Sequence, residues 1–74
     1  MFVNYKNTDK DSNVIAYEIG VNYISIRFYG TNKIYTYAYQ SAGVKNAENM
    51  KRLARIGNGL NSYISSYCKN LYLR

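Results

Sequence analysis

Tyr23-Ile24-Ser25-Ile26-Arg27-Phe28-Tyr29, then Gly30-Thr31-Asn32-Lys33, then Ile34-Tyr35-Thr36-Tyr37-Ala38-Tyr39, is the stretch on which the fold turns. In its first part Ile24, Ile26 and Phe28 share one face and Tyr23, Ser25, Arg27 and Tyr29 the other, the two-residue period of a strand with one buried side. Aromatic and β-branched residues predict a second strand over residues 34–39. The face of Tyr35, Tyr37 and Tyr39 depends on the turn between them, because a slip of one residue carries every side chain across the sheet. A two- or four-residue loop sets Tyr29 opposite Ile34 and Phe28 opposite Tyr35, which sends the tyrosines into the core and requires partners for their hydroxyls at its edge. A three-residue loop sets Phe28 opposite Ile34 and turns the tyrosines outward as a stacking platform. Gly30 to Lys33 fits a four-residue turn, so the core-facing register is the expected one.

Toward the N-terminus, residues 14–19 alternate Ile15, Tyr17 and Ile19 against Val14, Ala16 and Glu18, and Gly20-Val21-Asn22 supplies a turn, which adds a strand before the hairpin. Residues 1–12 read as a polar N-terminal arm with at most a short extended piece near Phe2 to Tyr5. Toward the C-terminus, Gln40-Ser41-Ala42-Gly43 breaks the pattern, and Val44, Ala47, Met50, Leu53, Ala54 and Gly57 then mark the buried stripe of a helix that Ser41 or Asn46 would cap. Its solvated side carries Lys45, Glu48, Lys51, Arg52 and Arg55. Gly57 and Gly59 each cost a helix about 1 kcal/mol relative to Ala, so they predict a helix end and a fresh start capped by Asn58. Leu60, Tyr63, Ile64, Tyr67, Cys68 and Leu71 follow the spacing of a second helix with one buried face. The expected architecture is α+β: a three-stranded antiparallel β-meander followed by two C-terminal α-helices packed on one face, β-β-β-α-α, in a single domain over residues 1–74.

In this order the residues resemble the KTSC family, a small bacterial domain found at the C-terminus of some lysyl-tRNA synthetases and as a stand-alone protein. The matching features are Ile24-x-Ile26-x-Phe28, the turn glycine Gly30, Tyr35-x-Tyr37, and the run Ala54, Gly57, Gly59, Leu60, Asn61, Tyr63, Ile64 that ends at Tyr72. The resemblance covers the chain from about Ser12 onward, and it departs from the family pattern between Ala38 and Gly43, where proline is frequent in the family and absent here. It implies RNA binding and supplies no catalytic residues.

Seventy-four residues make a core that is only marginally self-sufficient. With a lone Cys68 and no His there is neither an internal disulfide nor a zinc ligand set, so no cofactor is expected and self-association into a homo-oligomer is. An unpaired cysteine without a secretory leader fits a cytoplasmic protein, and no apolar run is long enough to cross a membrane. Charge is segregated. Lys6 and Lys10 face Asp9, Asp11 and Glu18 in residues 1–20, whereas Lys45, Lys51, Arg52, Arg55, Lys69 and Arg74 face Glu48 alone in residues 41–74, within a net charge of +6. The carboxylates form no pair suited to acid–base chemistry, and Cys68 sits on an apolar stripe, so the chain reads as a non-catalytic binding module. The expected RNA site is a basic strip of Lys45, Lys51, Arg52 and Arg55 with Lys69, joined by Arg27 between Tyr23 and Tyr29, whose rings would stack on bases. A weaker phosphate site is expected at the start of the last helix, at Asn58, Gly59 and Asn61. The alternative is an oligomer whose exposed tyrosines pack on a partner protein or enclose an anionic nucleotide with Arg27.

Overall fold

A computed structural model describes residues 1–8 and 13–73. Four antiparallel strands lie in chain order: β1 (Val3–Asn4), β2 (Val14–Ile19), β3 (Tyr23–Phe28) and β4 (Ile34–Ala38). The short turn α1 (Tyr39–Ala42), the long helix α2 (Val44–Ile56), α3 (Leu60–Tyr63) and a π-helical turn (Ile64–Cys68) follow. The α+β class and the meander are as the sequence predicts, but there is a fourth strand. Residues 1–8 are no arm either: β1 pairs with β2 through Val3 opposite Tyr17 and Asn4 opposite Ala16, and Tyr5 is buried in the core. Residues 9–12 lie outside the described residues.

The hairpin of β3 and β4 takes the even register. Ile24 faces Tyr37 and Ile26 faces Tyr35, so both tyrosines share the core side with the isoleucines. The individual partners sit two residues from the expected ones, since Arg27 rather than Tyr29 opposes Ile34, and Phe28, still in β3, pairs with Val14 of β2 instead of with β4. Tyr39 is not a strand residue: its N–H donates to the Asn22 carbonyl at 3.0 Å and the chain turns there into α1. In β2 a bulge sits between Val14 and Ala16, so that two residues on β2 oppose one on β3. The extra residue reverses the expected alternation at the start of the strand: Val14 is buried and Ile15 is 41% exposed, while Tyr17 and Ile19 keep the core face opposite Ile26 and Ile24.

Helix α2 buries Ala47, Met50 and Ala54; Met50 and Ala54 share one core cluster with Ile24 and Ile26, and Leu60, Ile64 and Cys68 complete it. Val44, expected on the buried stripe, is exposed at the first position of α2, directly after the N-cap Gly43. Neither Ser41 nor Asn46 caps α2: Ser41 folds back onto Ala38, and the Asn46 side chain donates to the Ala42 carbonyl at 3.0 Å. Gly57 ends α2 at φ 83°, the left-handed C-terminal glycine that the sequence predicts. A Cβ there would also lie 2.5 Å from Cβ of Lys6, because residues 5–8 run across this corner, with Thr8 N–H donating to the Gly57 carbonyl at 2.8 Å. Asn58 does not cap the next helix, whose N-cap is Gly59. Beyond the π turn the chain reaches the outer edge of β4, where Leu73 N–H donates to the Thr36 carbonyl at 2.7 Å. Tyr72 there packs edge-on against Tyr35 and Tyr37 on the core side, with ring centroids 4.8 and 6.1 Å apart.

Candidate functional site

Only two carboxylate side chains, Glu18 and Glu48, lie among the described residues, and both are engaged. Glu18 pairs with the N-terminal ammonium of Met1 and accepts from the Tyr23 hydroxyl at 3.5 Å. The ammonium is the main reason its carboxyl is held below the usual range. Glu48 accepts from Lys51 Nζ at 2.8 Å and from the Tyr39 hydroxyl, and Lys51 foremost lowers its carboxyl. Lys51 is therefore not part of a solvated strip. It is 4% exposed, donates to the Val21 carbonyl at 3.0 Å and lies 5.2 Å from the Tyr39 ring centre, a tie between α2 and the β2–β3 turn. Its position turns it inward, whereas Lys45, Arg52 and Arg55 occupy the outward side of α2 and are exposed. Like Arg27 and Lys69, these three carry no ion pair among the described residues.

Lys45 and Arg52 are two helical turns apart, about 10 Å along the axis. Beside them runs the last helical segment, pinned to α2 through Tyr63, whose hydroxyl donates to Asn46 Oδ1 at 2.7 Å and accepts from Asn49 Nδ2 at 3.1 Å. Tyr67 stacks on Tyr63 at 4.9 Å between centroids with 45° between the planes, and it is 66% exposed. The heptad-like spacing assigns Tyr67 to the buried stripe. The π turn at Ile64–Cys68 widens the helix by one residue per turn and rotates Tyr67 outward while Cys68 stays fully buried. An exposed aromatic ring thus stands on the segment that Tyr63 ties to Asn46 and Asn49 of α2, with Lys69 following on the same segment. No residue of the sequence signals this; a π turn leaves no pattern of its own.

The remaining expected site residues lie elsewhere. Arg27 and Tyr23 are on the opposite face of the sheet from α2, Arg27 between Ala16 and Ile34 in the register, and Tyr29 is 78% exposed just past the end of β3. The sheet therefore separates Tyr23 and Arg27 from Lys45, Arg52 and Arg55, and the expected set divides into two. At the expected phosphate site Asn58 is exposed and Asn61 half-buried, but the Leu60 N–H is already bound to the Tyr5 hydroxyl at 3.3 Å. The start of α3 is thus engaged by the N-terminal segment. Burial pushes the Cys68 thiol up, away from the thiolate a nucleophile needs. Among the described residues no group of three His, Cys, Asp or Glu side chains could hold a metal ion, and no helix is long and apolar enough to cross a membrane. No protein-family model, no curated protein and no solved structure matches the chain.

Proposed function

We propose that the protein is a non-catalytic module that binds single-stranded nucleic acid, RNA foremost, along the outward side of α2. Lys45, Arg52 and Arg55 neutralise backbone phosphates, Lys69 extends the positive field, and Tyr67 receives an unpaired base. The observation that carries this reading is a row of exposed cations with no ion pair among the described residues, together with a large exposed ring on the segment packed beside α2. Fluorescence anisotropy with a labelled single-stranded RNA at low ionic strength tests it. The expected outcome is saturable binding that an Arg52→Ala/Arg55→Ala double variant weakens at least tenfold. Absence of any complex, or an unchanged affinity in the double variant, sinks the proposal.

A second reading, self-association, is favoured by Ile34 and Leu73, which stay 55% and 42% exposed at or beside the sheet face away from α2. In an oligomer joined there, Arg27 and Tyr23 would stand at the subunit boundary, where an anionic nucleotide could lie. Solution mass discriminates the two: a stable oligomer indifferent to RNA favours the second reading, and a monomer that shifts with RNA favours the first.

A further inference from the structure

On the sheet face away from α2 lies a polar concavity of about 420 Å³, within the size range of small-ligand sites. Its floor is a hydroxyl pair, Ser25 Oγ and Thr36 Oγ1, 2.8 Å apart on neighbouring strands. In such a pair one hydroxyl donates to the other, so one proton is left without an acceptor among the described residues. Around the floor stand the side-chain amides of Asn22 and Gln40, which also have no protein partner among the described residues. The wall is Tyr23. Its ring lies so close over Gly20 that a Cβ there would fall 1.9 Å from Cε1, which fixes the ring against the backbone. Glu18 is the single charged group of the lining, and its carboxylate is paired with the Met1 ammonium, so the lining offers no unpaired charge to an ionic ligand.

We propose that this concavity binds a neutral sugar ring. Adjacent hydroxyls pair with the planar amides of Asn22 and Gln40 and with the free proton of the Ser25–Thr36 pair, and the C–H face of the ring packs on Tyr23. The same chemistry belongs to a free monosaccharide and to the ribose of a nucleoside. The site is independent of the nucleic-acid interface, from which the sheet separates it.

Amide chemical-shift titration of the full chain with glucose, and separately with adenosine, tests this. Saturable shifts centred on residues 22, 23, 25, 36 and 40 are expected for at least one of them, with a Kd on the order of 1 mM. Glucose alone identifies a monosaccharide site, adenosine alone a nucleoside ribose site. Thr36→Val keeps the shape and removes the hydroxyl, and Gln40→Ala alters an exposed residue that folding does not need; each should weaken binding at least fivefold. Arg52→Ala/Arg55→Ala should leave the titration unchanged, so the two proposals fail separately. The inference is overturned if neither compound gives saturable shifts there, if both variants bind as the parent does, or if glucose 6-phosphate or adenosine monophosphate binds more tightly than its neutral form.

Discussion

At the residue scale, Lys51 is the side chain whose role the structure changes most. Its ammonium is enclosed with Glu48, Tyr39 and the Val21 carbonyl, so it holds the β2–β3 turn against α2 rather than meeting solvent. Lys51→Met keeps much of the volume but removes the ammonium from the Val21 carbonyl and leaves Glu48 with the Tyr39 hydroxyl alone. We expect a loss of about 1–3 kcal/mol, read as a lower urea midpoint with an unchanged slope. Tyr37 gives a pH signature. Burial first, then the neighbouring Cys68, Tyr35 and Tyr72, pushes its phenol from 10.0 up to about 12. Below pH 10 both folded and unfolded chains keep the proton. Above it the unfolded chain loses its proton first, so this contribution to stability falls as pH rises from about 10 to 12, by at most about 2–3 kcal/mol. Urea midpoints measured across that window should decline less steeply in Tyr37→Phe; identical declines refute the assignment. Gly57→Ala should cost at least about 1–2 kcal/mol, since a side chain there must adopt a left-handed backbone and displace the Lys6 stem.

At the element scale, both main departures from the sequence pattern are single-residue insertions. The bulge adds Ile15 to β2 and the π turn adds one residue to the terminal helix; each shifts the phase of everything on one side of it. Periodicity assumes a constant repeat, so it reads Tyr17, Ile19, Leu60, Ile64 and Cys68 correctly and misplaces Val14, Ile15 and Tyr67. The hairpin parity was legible because Gly30 to Lys33 reads as a turn of even length, which puts Tyr35 and Tyr37 on the side of Ile24 and Ile26; the offset of two residues was not, since it leaves every side chain on its face. The π turn also yields a separable prediction. Tyr67→Ala removes a mostly exposed ring, so thermal stability should hardly change while RNA affinity drops by about 1–3 kcal/mol. A variant that binds RNA as well as the parent removes Tyr67 from the interface. At the other edge, Leu73 engages β4 and leaves less of that strand open to pairing with a neighbouring chain.

At the scale of the whole molecule, the charge segregation visible in the sequence survives folding in reduced form: Lys51 is withdrawn, and Arg27 lies across the sheet from the helical cations. Three contacts from Lys45, Arg52 and Arg55 predict that log K falls against log salt with a slope of about −2 for a single strand. A slope near zero would exclude phosphate contacts as the source of binding. The candidate site was half legible, because helix periodicity gives the outward side of α2, whereas which sheet face carries Tyr23 relative to that helix requires the layering. The role of residues 1–8 was hidden for a different reason: their partners are far away along the chain. Tyr5 reaches Leu60 across 55 positions and Thr8 reaches Gly57 across 49. Synthesis on the ribosome therefore releases residues 5–8 long before their seat exists. The nascent chain must wait with the Tyr5 ring unhoused until the glycine corner emerges, so residues 5–8 find their place only after residues some fifty positions later have been made.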